Sequence, residues 1–181
     1  MAIKNNKYRH MKKIILIITV ILAFACNKEV DQSAHEINYS RDICVNCLMG
    51  LADQKYSAQA INEYGEVIWF DDLGCLVEYE KSDAWKTWGG EQAKVWIGDC
   101  ETGEWIDAYQ AFYRFGDRTP MGYGYGALKE NKGDTLFDYT TTVKRINAGE
   151  TMREEFIKSK KMMMHGMSDS TKTMDTSMIA K

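Results

Sequence analysis

The sequence predicts an α+β fold of short antiparallel strands with a few helices, spread over about residues 37–147 of the 181. Aromatic and β-branched residues are dense over that stretch. Gly65, Gly74, Gly89, Gly90, Gly98, Gly103 and Gly116 cut it into strand-length pieces. In one place the apolar period changes from strand to helix: Leu73, Leu76, Val77 and Glu80 follow helical spacing, and the three apolar members share one face.

The first pair of strands is Ala58 to Ile61 and Glu66 to Phe70, joined by a turn at residues 62–65. Asp71 or Asp72 then caps a helix that starts near Leu73. A second strand pair follows, Ala93 to Ile97 and Glu104 to Ala108, around a turn from Gly98 to Gly103, with the aromatic stretch Tyr109 to Phe115 expected to continue it. After Pro120, the sole proline, comes a glycine-rich segment, Met121 to Gly126, and then a helix or strand pair out to about Asn147. Met49-Gly50 precedes Phe70-Asp71 much as Met121-Gly122 precedes Phe137-Asp138, an internal echo that leaves a structural duplication open.

The charge is uneven. Residues 1–25 hold five basic side chains and no acidic one, which leaves 18 basic against 26 acidic in the remainder. A net-negative surface without a basic cluster lacks the footprint that phosphate backbones require, so nucleic acid is excluded as a partner. Lys12-Lys13, the apolar run Ile14 to Ala25 and then Cys26 form a lipoprotein-type export signal, too short to span a bilayer. Acylation at Cys26 is expected to tether the chain to the lipid bilayer, with residues 26–39 as a polar stalk. That places it in the cell envelope, facing the oxidising periplasm. From residue 149 to 181 the composition turns to Lys, Ser, Thr, Asp and Met, which predicts a disordered tail apart from a helical start around Met152 to Ile157.

Sulfur dominates the chemistry. Cys44, Cys47 and Met49 lie within six residues on a turn, and soft thiolate and thioether donors select Cu(I) over hard cations. A thioether needs no deprotonation and cannot be lost to a disulfide. Met121, between Pro120 and Gly122, is a second candidate ligand on a constrained turn; packing against Tyr123 or Tyr125 is the alternative. The tail supplies an accessory set: Met162, Met163, Met164, His165 and Met167. Two rival readings of the Cys-x-x-Cys pair stay open. One is a thiol-disulfide oxidoreductase using Cys44 and Cys47, and the other is a zinc-stabilised interaction module that also takes Cys75 and Cys100. Asp71, Asp72, Asp99 and Asp107 are expected to cap helices and close turns, because no histidine lies among them to complete a catalytic set.

Asp42-Ile43-Cys44-Val45-Asn46-Cys47-Leu48-Met49, Trp69-Phe70-Asp71-Asp72-Leu73-Gly74-Cys75, Trp105-Ile106-Asp107-Ala108 and Pro120-Met121-Gly122, together with Cys26, resemble the NosL family of copper-binding lipoproteins associated with nitrous oxide reductase assembly. The resemblance implies two small related α+β domains of short antiparallel strands with a helix each, placed here at residues 40–90 and 91–148. It also implies a non-enzymatic Cu(I) chaperone that delivers copper to nitrous oxide reductase or another copper enzyme, with a membrane transporter complex as partner. By residue it carries metal binding onto Cys47, Met49 and Met121, and less directly onto Cys44. Leu48 stands where the family carries glycine. Cys100 and the Met-rich tail fall outside the resemblance.

Overall fold

A computed structural model describes residues 30–133 and 135–177, with side chains in the last helix given as far as Met164. Its centre is β1 (Ala58–Ile61), all four residues of which are buried. On one side β1 pairs antiparallel with β2 (Val67–Phe70), in the register Ala58 to Phe70 and Ile61 to Val67. Asn62 closes the turn between them, its carboxamide oxygen accepting the amides of Tyr64 and Glu66. On its other side β1 pairs with β3 (Lys94–Gly98), which pairs in turn with β4 (Trp105–Asp107), so the sheet order is β2-β1-β3-β4.

Helix α1 (Leu73–Tyr79) follows β2 after a two-residue corner, with Asp72 as its N-cap. It buries Leu73, Gly74, Cys75, Leu76 and Val77. The short helix α2 (Asp83–Trp88) is capped by Ser82 and ended by Gly89 at φ 89°, a left-handed C-terminus suited to glycine. Beyond β4 the chain reverses. The Asp107 carboxylate accepts the Tyr109 amide, and the Asp107 carbonyl accepts those of Gln110 and Ala111. The stretch Tyr109 to Phe115 therefore does not continue the first sheet as expected. Its last four residues form β5 (Phe112–Phe115), which pairs antiparallel with β6 (Tyr125–Leu128) in a separate two-stranded sheet.

Helix α3 (Tyr139–Asn147) starts behind its own cap, Asp138, just after Phe137 bridges to Tyr113. The aspartate of the second Phe-Asp pair is thus itself a helix cap, whereas in the first pair Asp71 is followed by the cap Asp72. The core runs through both sheets and the helices, with Phe70, Leu73, Leu76, Val95, Ile97, Tyr113, Tyr125 and Ile146 among its buried members.

Three segments differ from the sequence expectations. The four-stranded sheet draws β3 and β4 from beyond residue 90, because β1 has hydrogen-bonding edges for a partner on each side. The described residues from Gln32 onward accordingly cluster as one compact unit, and the β1–β3 pairing crosses the 90/91 boundary. The polar stalk is seated from Gln32 onward. Its Nε2 donates to the Ile61 carbonyl, its carbonyl accepts the Trp96 indole N–H, and the buried Gln59 amide bonds both the amide and the carbonyl of His35. The tail, expected to be disordered past a helical start, is one helix, α4 (Met152–Ser177). Its first turn is held by the rest of the fold, the Met152 and Arg153 amides donating to the Tyr123 and Gly122 carbonyls. Phe156, Met162 and Met163 are each two-thirds exposed or more.

Candidate metal centre

The loop that carries Cys44 and Cys47 is pinned at its base by an antiparallel bridge between Ile43 and Gly50. Within it, the Cys44 amide donates to the Met49 carbonyl at 2.8 Å and the Leu48 amide donates to the Cys44 carbonyl at 2.9 Å. Closing so tight a loop forces Leu48 to φ 62°, a left-handed backbone that glycine adopts without cost. This is the position at which the NosL pattern carries glycine. The Val45 amide donates to the Trp69 carbonyl at 2.8 Å, which lays the loop along β2.

Because β2 runs straight into α1, the same arrangement brings the first turn of that helix, and Cys75, against the loop. The sulfur atoms of Cys44, Cys47 and Cys75 all lie within 4.8 Å of one another. Cys44 and Cys75 are fully buried, whereas Cys47 is half-buried and gives the cluster its route to solvent. All three are free thiols.

The environment splits their acidities. A hydrogen bond from the Cys75 thiol, joined by backbone bonds around residues 46, 47 and 71, outweighs burial and draws Cys44 down to about 5. One of these bonds is the Cys47 amide, 3.4 Å from the Cys44 sulfur. Cys75 is pushed well up, first by that bond to Cys44 and then by burial. Burial raises Cys47 as well. Of the three, Cys44 is thus the thiol most ready to lose its proton.

Asp72 ties a second sulfur-bearing segment to this one. Its carboxylate caps α1 through the Gly74 amide at 3.3 Å, and Oδ2 accepts the Thr119 hydroxyl at 2.6 Å and the Met121 amide at 3.0 Å. Thr119 Oγ1 accepts the Gly124 amide at 3.0 Å, which closes the turn around Met121. Burial pushes Asp72 up to about 6 against these donors. Gly74 is required at its position, since a Cβ there would sit 2.0 Å from the Tyr123 ring. Met121 is therefore not on an open turn. It is half-buried against the core, one hydrogen bond from the cap of the helix that bears Cys75.

Of the sequence-predicted residues, Cys44 and Cys47 come together. Met121 is brought to the same end of α1, and Met49 follows in the cysteine loop with a half-exposed side chain. Met162, Met163 and Met164 lie on α4, exposed. Cys26 and the side chains of His165 and Met167 lie outside the described residues. Cys75 is the member that sequence reasoning did not place, because it set Cys75 beside Cys100 in a zinc reading. The usable signal was the Asp72 cap, which fixes Cys75 in the first turn of a helix directly after a strand. Cys100 is buried elsewhere, against Gly126 and Asp117, and burial pushes its thiol up to about 12. Asp72 caps a helix and Asp99 and Asp107 close turns, as expected, Asp99 accepting the amides of Glu101 and Thr102 and also that of Lys129; Asp71 instead makes a tertiary bond, accepting the Ala52 amide at 2.7 Å from 19 residues away.

No family model matches the chain, and no curated protein does. Among solved structures it is similar to the crystal structure of the copper chaperone NosL from Shewanella denitrificans. The identity is 16% and the TM-score 0.49, over 61% of this chain and 95% of that one.

A soft ion fits the donor set. Three sulfurs around an ion at a bond length near 2.3 Å stand roughly 4 Å apart, so the cluster needs only a small closure. Structural zinc sites are almost always four-coordinate, and among the described residues no further Cys, His, Asp or Glu joins the three.

Proposed function

We propose that this chain is a Cu(I) carrier and not an enzyme. Cys44, Cys47 and Cys75 hold the ion, and the thioethers of Met121 and Met49 stand at the rim to receive or release it. The observation that carries this reading is the mutual approach of three sulfurs within 4.8 Å, two of them buried and one half-exposed. Thiolate sulfur is the donor that favours Cu(I), and the lowered pKa of Cys44 eases the proton loss that binding requires.

Export and anchoring through Cys26 would hold the carrier on the bilayer, facing the periplasm. From there it would pass copper to a copper enzyme such as nitrous oxide reductase, aided by a membrane transporter complex. The sequence resemblance at Cys44 to Met49, Trp69 to Cys75 and Pro120 to Gly122 supports that assignment.

The oxidoreductase alternative needs a low-pKa thiol within reach of a substrate disulfide. Here the acidic thiol, Cys44, is fully buried, and the reachable one, Cys47, has its acidity weakened. Titrating reduced protein with Cu(I) against a competing chelator tests the proposal. One tight equivalent, lost on Cys47→Ser or Cys75→Ser, is expected. Unchanged affinity in both variants would refute it.

A further inference from the structure

Cys44 and Cys47 share one turn, and solvent meets that turn at Cys47. The Leu48 amide donates to the Cys44 carbonyl and closes the turn, and the Cys47 amide lies 3.4 Å from Cys44 Sγ. Residues at the two ends of so short a turn have Cα atoms under about 7 Å apart, the range in which a disulfide forms. Their sulfurs already lie within 4.8 Å of each other, against about 2.0 Å in a bonded pair. The residues beside Cys47 leave it room to close, since Leu48 is exposed and Met49 half-exposed. Cys75 is placed differently. It is fully buried in the first turn of α1, whose start is fixed by the Asp72 cap, so drawing its sulfur into a bond would move a helix and not a loop.

We propose that a reversible disulfide between Cys44 and Cys47 gates the copper site, so that the empty carrier is the substrate of a thiol-disulfide reductase and accepts Cu(I) only after a dithiol has reduced it. The proposal rests on the Cu(I) reading of the three-sulfur cluster and adds the reaction that must precede loading. The bond removes two of the three thiol sulfurs and leaves Cys75 with the thioethers of Met49 and Met121. In the oxidising compartment proposed for the chain, neighbouring thiols without a metal are open to this closure. A bound ion occupies both sulfurs, so metal and disulfide exclude each other.

Burial decides the order of events, because Cys44 and Cys75 are fully buried and Cys47 is not. In oxidation a small disulfide exchanges with Cys47 and releases one thiol. The Cys44 sulfur then attacks the Cys47 sulfur and releases the second, so two protein thiols become one S–S bond and the small disulfide becomes two thiols. Reduction reverses this with a partner's dithiol. Its thiolate attacks the Cys47 sulfur, the bond to Cys44 breaks, and the electron pair and a proton pass to Cys44. The partner's second thiol then attacks the mixed disulfide, Cys47 leaves protonated, and the partner departs as a disulfide. Cys44 is suited to be the leaving sulfur, because the Cys47 amide and the Cys75 thiol both direct a hydrogen at it. The chain is thus acted on by a reductase and is not one itself.

The test equilibrates the full chain, free of copper and without oxygen, in glutathione buffers of graded reduced-to-oxidised ratio, then alkylates it and digests it with trypsin. Cleavage after Arg41 and Lys55 leaves Cys44 and Cys47 together on peptide 42–55, while Cys75 falls on peptide 56–81. The oxidising buffers should yield peptide 42–55 unalkylated and lighter than its reduced form by two hydrogens, with Cys75 alkylated. Once glutathione is removed, the oxidised chain should bind Cu(I) about a hundredfold more weakly under chelator competition, and a dithiol should restore the affinity. A chain loaded with Cu(I) beforehand should close the disulfide about tenfold more slowly. Peptide 42–55 alkylated at both cysteines in every buffer, peptide 42–55 joined to 56–81, or an oxidised chain that binds Cu(I) as tightly as the reduced one would each overturn the gate. A reduced chain that closes the disulfide but takes no tight Cu(I) would refute the carrier reading, and the gating with it.

Discussion

The amide of Met121 donates to Asp72 Oδ2 at 3.0 Å, across 49 residues of chain, and so joins the Pro120 turn to the helix of Cys75. The same oxygen takes the Thr119 hydroxyl, and the other caps the helix at Gly74. Replacing Asp72 with alanine removes an N-cap and leaves a buried hydroxyl and an amide without their acceptor. These losses together should cost about 3 kcal/mol. Urea unfolding of Asp72→Ala should show that loss. Cu(I) affinity should also fall, because Met121 is no longer held at the end of α1. Full affinity in a folded Asp72→Ala protein would separate Met121 from the site.

Cys75 and Cys100 are both buried cysteines in the second half of the cysteine inventory, yet they should behave oppositely. Cys75→Ser removes one of three converging sulfurs and the thiol that donates to Cys44. Cu(I) affinity should drop by more than tenfold, or about 1.4 kcal/mol. Cys100→Ser lies against Gly126 and Asp117 and should leave copper binding unchanged. Chelator competition on the two variants side by side checks both statements.

Leu48 is held at φ 62° with its side chain 72% exposed, so it has strain to lose and little burial to forfeit. Leu48→Gly should stabilise the fold by about 1 kcal/mol, the cost of a left-handed conformation for a residue with a Cβ. Denaturant midpoints should move upward while Cu(I) affinity holds. A lower midpoint would mean that the leucine side chain packs in a way its exposure does not reveal.

Glu80 is mostly buried and accepts the Tyr139 hydroxyl at 2.8 Å and that of Tyr109 at 3.4 Å, and burial raises its pKa above the ordinary glutamate value despite these donors. The folded protein therefore holds this proton at pH values where the unfolded chain has released it. The group's contribution to stability is full below the unfolded pKa and is lost as pH rises through the folded one. Glu80→Gln keeps an acceptor for Tyr139 without the charge. Denaturant titrations from pH 4 to 7 should show the variant gaining on the parent as pH rises. A constant difference would mean that the two pKa values coincide.

Local structure was legible wherever it depended on neighbours in sequence. The strand pair at Ala58 and Phe70, the Asp72 cap and the helix at Leu73 all follow from turn chemistry and period. The same rules could not see that Asp107 turns the chain before Tyr109, because an aromatic run carries no sign of which sheet it joins. Nor could they see that Gln32 and His35 find partners on β1 and β3, which converts an expected stalk into part of the fold.

The sequence by itself determined which residues carry sulfur, that Cys44, Cys47 and Met49 share one loop, and that Asp71 or Asp72 starts a helix. These are consequences of short spacing. Only the tertiary structure decided that Cys75, not Cys100, completes the cluster, and that Met121 and the root of the Met-rich helix meet the same end of α1. Spacing along the chain fixes neither. Both depend on the pairing of the cysteine loop with β2 and on one buried carboxylate whose three donors come from two distant segments.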